Sequence, residues 1–387
     1  MGFLRNPGRI AAFLLVATAI AGCGGLRLSD PLRVREGDFF MYGRSKERMN
    51  RVPVLIAPPL TLEWTQDLTA GIGDGSPVLV DSLLFMGNLR GELYALNGRT
   101  GKRVGWVALG NAIQGTPLVD GNLAIVALAG PREALVAYDL LEGKVRWKQI
   151  LGDMQVSPLL IGTQVYTANT SGTFFCVERT TGEVRWMFQI PDNTRLKGIR
   201  STPAGTDSGV VFGADDGAVY HLDAATGKLR WRIAGDAAIQ APVVIFRQTA
   251  YVTTLRGTIM AIDIASGALR WLRGTGHPVF GPLLVDSLRA VVGTTGGLVL
   301  ALNTSSGELL WSCDLQSPVN SGLLGSDTLL YVGTLKKELV ALRALDGTVL
   351  WRGALPGRVK TTPVAGIHRI FVATDERLIL SFRESAR

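Results

Sequence analysis

Cysteine, histidine and charge are all scarce in this 387-residue chain. It has three cysteines and three histidines, and 19% of its residues are charged. Three cysteines cannot staple a small disulfide fold, and three scattered histidines leave little for a histidine-built zinc or haem centre. Lys and Arg exceed Asp and Glu by only 8, and Arg5 and Arg9 lie in a segment expected to be removed. So small an excess on so long a chain argues weakly for nucleic acid. Basic residues sit in turns ("GKRVGW", "GKLRW") without interleaved aromatics, and no Gly-rich phosphate loop precedes a helix. Sustained helical periodicity is absent beyond the N-terminus. The hydrophobic share, 47%, excludes a wholly disordered chain.

The N-terminus has one apolar run. Arg5 and Arg9 form a basic start, and Ile10 to Ala21 is nearly unbroken, about a dozen residues and too short for a comfortable permanent span. It ends in Ile20-Ala21-Gly22-Cys23, which resembles the bacterial lipobox, where the cysteine thiol accepts diacylglyceryl before cleavage. The expected organisation is a lipoprotein signal peptide over 1–22, a lipidated Cys23 with a flexible tether over 23–52, and a folded body over 53–387. Gly24 and Gly25 follow the cysteine without an aspartate, which resembles lipoproteins released to the outer membrane. Arg44, Lys46, Arg48 and Arg51 make a basic run that reads as a solvated linker or as a contact for lipid headgroups.

Repeats organise everything else. Tryptophans fall at 64, 106, 147, 186, 231, 271, 311 and 351, spaced by 42, 41, 39, 45, 40, 40 and 40 residues, and the chain has no others. A Gly-x-x-x-Trp phrase ends most copies, as in "HLDAATGKLRW" and "AIDIASGALRW"; the first copy, "ALNGRTGKRVGW", carries one additional residue. The glycine fits the positive-φ position of a hairpin turn. About 11 residues after most tryptophans comes a small residue or two, then Pro77, Pro117, Pro158, Pro203, Pro242, Pro282 or Pro363, then a short apolar strand. Proline suits the first residue of a strand. Each unit therefore reads as four short antiparallel strands, and the expected fold is an all-β, eight-bladed β-propeller. Trp64 has no three strands before it, and Thr361 to Glu384 supplies three strands without a tryptophan. The two pieces complete one blade and close the ring. Trp64, Trp106, Trp147, Trp186, Trp231, Trp271, Trp311 and Trp351 are all expected to dock adjoining blades.

These repeats resemble those of quinoprotein-type propellers. With the signal, lipobox and tether they resemble the BamB family, propeller lipoproteins of the outer-membrane β-barrel assembly machinery. That resemblance implies a non-enzymatic scaffold without cofactor or metal. It would be lipid-anchored in the outer membrane and face the periplasm. Its partners would be the barrel-forming core subunit and unfolded outer-membrane protein substrates, with no nucleic acid. The longest insertion in the repeat, "PDNTRLKGIRSTP" at Pro191 to Pro203, falls where the family has a partner-binding Leu-Arg-Gly loop. Leu196, Lys197 and Gly198 match it with Lys for Arg, which keeps the charge and loses the bidentate fork, while Thr194 stands where the family has a leucine. Read from the residues alone, Arg195, Lys197 and Arg200 form a positive prong around Leu196, and the expected partner site is Arg195, Leu196, Lys197, Gly198 and Arg200.

The alternatives are another exported propeller lipoprotein that binds a protein or cell-wall ligand, and a PQQ-dependent dehydrogenase. The enzymes the repeats resemble hold Ca²⁺ through Glu, Asn and Asp and often carry adjacent cysteines. Here Cys176 and Cys313 are far apart in sequence, and both read as small core residues. Asp215, Asp216, Asp223 and Asp263 mostly occupy recurring turn positions. His221, His277 and His368 lack the spacing of a catalytic triad.

Overall fold

The computed structural model describes residues 25–191 and 196–385. Eight four-stranded antiparallel sheets are arranged as blades. Blade 1 contains Val78–Val80, Leu83–Gly87, Glu92–Asn97 and Arg103–Ala108, and blades 2 to 7 repeat this order along the chain. Within each blade the two middle strands are nearly all buried and the outermost strand is largely exposed, as in Glu338–Arg343 against Val349–Ala354. Blade 8 is the composite the sequence predicts. Leu60–Asp67 adds antiparallel to Leu378–Glu384, which continues to Arg369–Ala373 and Val364–Gly366. Arg369 donates from Nε and Nη2 to the Glu63 carboxylate, at 2.6 and 2.8 Å, fastening the two chain ends.

Six tryptophans dock across seams. Trp64, Trp147, Trp186, Trp231, Trp271 and Trp311 each lay the indole on the turn glycine of the next blade, and a Cβ there would lie 2.5–2.9 Å from the ring. These glycines have φ between +69° and +76°, so backbone conformation and indole packing exclude a side chain together. Each indole N–H also donates to the carbonyl three residues before that glycine, at 2.8–3.3 Å.

Trp106 and Trp351 differ from this set. The extra residue in the first repeat places Gly105 opposite Ala95 and Trp106 opposite Tyr94. In the other blades the tryptophan takes the position Gly105 has here, for example opposite Ala301. A one-residue shift turns a strand side chain to the other face, and Trp106 stacks instead on Tyr94 of its own blade, with centroids 6.1 Å apart. Trp351 faces blade 8, which is closed by separate chain segments and so has no turn glycine to receive the ring.

A second set of seam contacts runs round the inner edge. The Thr362 N–H donates to Ser76 Oγ, Ser76 N–H to Thr116 Oγ1, Thr116 N–H to Ser157 Oγ and Ser157 N–H to Thr202 Oγ1, at 2.7–3.1 Å. Each is the small residue directly before a strand-opening proline. This explains the hydroxyls in that phrase: they satisfy buried backbone donors of the neighbouring blade.

The segment expected as a flexible tether is folded from Gly25 onward. Phe39 bridges Leu79 of blade 1, and Arg51 bridges Gly325 of blade 7. The carbonyls of Phe40, Lys46 and Glu47 accept from Val119, Gly205 and Ile245, at 2.8–2.9 Å. This strap thereby pairs backbone groups on the innermost strands of several blades, which would otherwise be open edges. Arg48 is wholly buried and donates to the carbonyls of Tyr42, Pro158 and Pro203 at 2.6–3.0 Å. Lys46 pairs with Asp207 and Arg51 with Asp327. The basic run is thus used to fasten the strap, which explains why so many cations fall within eight residues.

Candidate partner face and central funnel

The connections between blades, from Asp74 to Lys360, converge on the hub of the ring. They surround a funnel with a cavity volume of 350 Å³, whose lining includes Tyr42 of the strap. The phenol of Tyr42 lies 3.3 Å from Thr362 Oγ1 and burial pushes its pKa up to about 12. One residue per blade rings the mouth, at the same place in each repeat: Asp74, Gln114, Gln155, Arg200, Gln240, Phe280, Asn320 and Lys360. The series is legible in the sequence once the repeats are aligned on their inner strands: seven of the eight lie four residues before the first strand residue, as Asp74 does before Val78, and Asn320 lies three before Leu323.

The connection from blade 3 to blade 4 carries the predicted partner site. Arg195 and Thr194 lie outside the described residues. Leu196 is 60% exposed. Lys197 is half-buried, with its carbonyl against Gly172. Gly198 is buried and has no room for a Cβ, which would fall 2.3 Å from Asp215 Oδ2. Its carbonyl accepts from the Asp215 N–H at 2.8 Å. Ile199 is wholly buried, and its N–H donates to the Asn169 carbonyl at 3.2 Å. Arg200 does not project as part of a prong. It turns inward to pair with the buried Asp215 carboxylate, which also accepts from Gln240 at 3.0 Å. Gly198, Ile199 and Arg200 therefore pin the base of the loop, and Leu196 stands above it.

The remaining candidates stay apart. Asp216 accepts from Tyr220 and Arg232, at 2.7 and 2.9 Å. Asp223 caps its own turn and pairs with Arg230, which with Thr226 holds its pKa down to about 2. Asp263 repeats that arrangement with Arg270 and Ser266, which hold its carboxyl well below the usual range. Burial pushes the Cys176 thiol up to about 11, so it is protonated at neutral pH, and Cys313 lies in another blade. His221 is buried against Trp231, and desolvation lowers its pKa to about 4. His277 and His368 are in other blades' connections.

Among the described residues no group of three or more His, Cys, Asp or Glu is placed to hold a metal. The funnel ring carries a single carboxylate, Asp74, where a Ca²⁺-assisted quinone site needs several oxygen ligands together. The residues present do not fit that group.

A family described as outer membrane protein assembly factor BamB matches residues 60–204, 189–295, 215–320 and 295–385, essentially the whole ring. The chain belongs to the BamB family. A curated relative, outer membrane protein assembly factor BamB of Burkholderia pseudomallei, is 29% identical over 203 residues, 49% of this chain. The match spans about half of that relative's length, 51%. The crystal structure of BamB from Moraxella catarrhalis superposes with a TM-score of 0.72 at 19% identity, covering 84% of this chain and 99% of that one. Quinohemoprotein alcohol dehydrogenase from Comamonas testosteroni superposes with a TM-score of 0.76 at 14% identity, covering 92% of this chain and 82% of that one. Both likenesses concern the fold. The propeller fold is shared with a quinohemoprotein dehydrogenase, and the family is the BamB one.

Proposed function

We propose that this protein is a non-enzymatic scaffold subunit of the outer-membrane β-barrel assembly machinery, anchored through a lipidated Cys23 and facing the periplasm. On this reading it holds the barrel-forming core subunit and so aids folding and insertion of outer-membrane proteins. Cys23 lies outside the described residues, and its role rests on the lipobox. The observation that carries the partner site is the loop at Leu196: an exposed apolar side chain beside a lysine, on a base pinned by Gly198, Ile199 and the Arg200–Asp215 pair. A contact residue held on a rigid base loses little entropy on binding, so a few side chains can carry much of the affinity. Arg200 and Gly198 act as positioning residues on this view, and Leu196 and Lys197 as the contact.

The double substitution Leu196→Ala, Lys197→Glu tests it. The loop core is untouched, so the ring folds normally, while affinity for the purified barrel subunit falls at least about tenfold, the scale of one contact residue at an interface. Arg383→Glu, on the exposed part of blade 8, leaves affinity unchanged. Full partner binding by the loop variant would overturn the assignment of this face.

A further inference from the structure

The seam between blades 1 and 2 is built unlike its neighbours. Gly105 stands where a docking tryptophan belongs, and no indole reaches Gly143, the turn glycine of blade 2. The vacancy is filled by the start of the described chain. A Cβ on Gly105 would lie 3.0 Å from the Gly25 carbonyl oxygen and from Leu26 Cα, and one on Gly143 would lie 3.2 Å from Arg27 Cβ. Leu26 is wholly buried, and its carbonyl accepts from the Tyr138 hydroxyl at 2.7 Å. The Leu28 N–H donates at 2.7 Å to the carbonyl of Leu140. Leu140 lies three residues before Gly143, the position that receives the indole N–H at the six docked seams. Leu26, Arg27 and the Leu28 amide therefore do the work of the missing tryptophan.

Gly25 is two residues from Cys23, and two residues span at most about 7 Å. We infer that this docking fastens the lipid anchor to the outer rim of blades 1 and 2, so that this rim rests on an anionic lipid surface and the propeller stands edge-on to the membrane. The inference rests on the lipidation of Cys23 proposed above. The outer rim of blades 1 and 2 has the matching chemistry. Arg27 at the seam, Lys148 on the outer strand of blade 2, and Arg99 and Lys102 in the blade 1 turn that receives Trp64 of blade 8 are exposed, and none of them is ion-paired to a carboxylate among the described residues. Val104 and Val145 beside them are 44% and 47% exposed. Cations over scattered apolar side chains suit a headgroup layer. With the anchor so short, the funnel opens along the membrane plane, and the Leu196 loop is presented sideways.

Two measurements test this, and the first does not depend on lipidation. In the full-length protein Arg27 resists trypsin, because Leu26 is buried and the flanking backbone is bonded to blade 2. Leu26→Asp expels the segment and raises cleavage at Arg27 at least tenfold, while cleavage elsewhere is unchanged. Equal cleavage in both proteins would refute the docking. In the second, intact mass first establishes acylation of the membrane-extracted protein. The protein is then reconstituted in phosphatidylethanolamine–phosphatidylglycerol vesicles containing a nitroxide-headgroup lipid. Fluorophores go on Val145→Cys at the near rim or on Leu310→Cys, exposed on blade 6 across the ring, in a background with Cys176→Ala and Cys313→Ser. Quenching is at least threefold stronger at position 145 than at 310. Equal quenching in acylated protein would overturn the fixed orientation. A mass without acyl chains would overturn the anchor reading and the orientation with it, while the trypsin result would still report on the docking.

Discussion

Replacing Trp271 by alanine gives the most direct measure of how the ring is held together. Trp271 is 8% exposed and joins the buried cluster shared by blades 5 and 6. Its ring covers Gly307, its N–H donates to the Thr304 carbonyl at 2.9 Å, and Tyr251 packs beside it at 5.9 Å between centroids. Truncation of a large aromatic in a packed core costs about 3–5 kcal/mol, transfer and cavity together. The Thr304 carbonyl keeps the Tyr251 hydroxyl as a donor at 3.3 Å, so no orphaned acceptor adds to that figure. Trp271→Phe keeps most of the apolar contact and loses the N–H bond, for a cost of about 1–2 kcal/mol. Trp106→Ala belongs with the milder change, about 1–2 kcal/mol, because Leu26 and Arg27 fill the seam that Trp106 leaves. Equilibrium urea denaturation, followed by the remaining tryptophans, measures all three. The docking account fails if Trp271→Ala lies within about 0.5 kcal/mol of the parent, or if Trp106→Ala is as costly as Trp271→Ala.

Acid should destabilise the ring through His221. Its pKa is about 4 when folded against 6.5 as the ordinary value, so the unfolded chain binds the proton first as pH falls. Stability is fully present above pH 6.5 and declines towards pH 4, by about 3 kcal/mol at pH 4. His221→Gln removes that slope between these values in denaturation curves taken across pH, and an unchanged slope would refute it. Arg48→Met should loosen the strap without opening the blades, since three carbonyls lose a charged donor, each such bond contributing about 1.5–3 kcal/mol. Amide exchange at Gly205 and Ile245, whose acceptors lie on the strap, should quicken about a hundredfold, while amides of the docked outer strands stay protected. Unchanged exchange at those two amides would show that Arg48 is not what holds the strap.

Much of this molecule is visible in one dimension because its fold is a repeat. Residues such as Trp271, Gly267 and Pro282 recur about every 40 residues since each blade must solve the same packing problem: an indole to fill a wedge-shaped gap, a turn without a Cβ to receive it, and a strand start needing no donor. That periodicity specifies eight blades and composite closure by Leu60–Asp67, because the leftover tryptophan strand and the leftover three strands complement one another. The aligned repeats also point to the ring of funnel residues from Asp74 to Lys360. Departures from the repeat are a different matter. The sequence contains the extra residue before Trp106, but only the fold shows that it turns the indole to the other face, and that Leu26 comes from far along the chain to fill the seam. Lys46, Arg48 and Arg51 read as a solvated linker because nothing local pairs with them; their partners, Asp207, Pro158, Pro203 and Asp327, lie on other blades. Likewise Arg200 reads as an outward charge until Asp215 is seen beneath it. Repeated local geometry was legible from the sequence, and the contacts between distant segments were decided by how the ring brings them together.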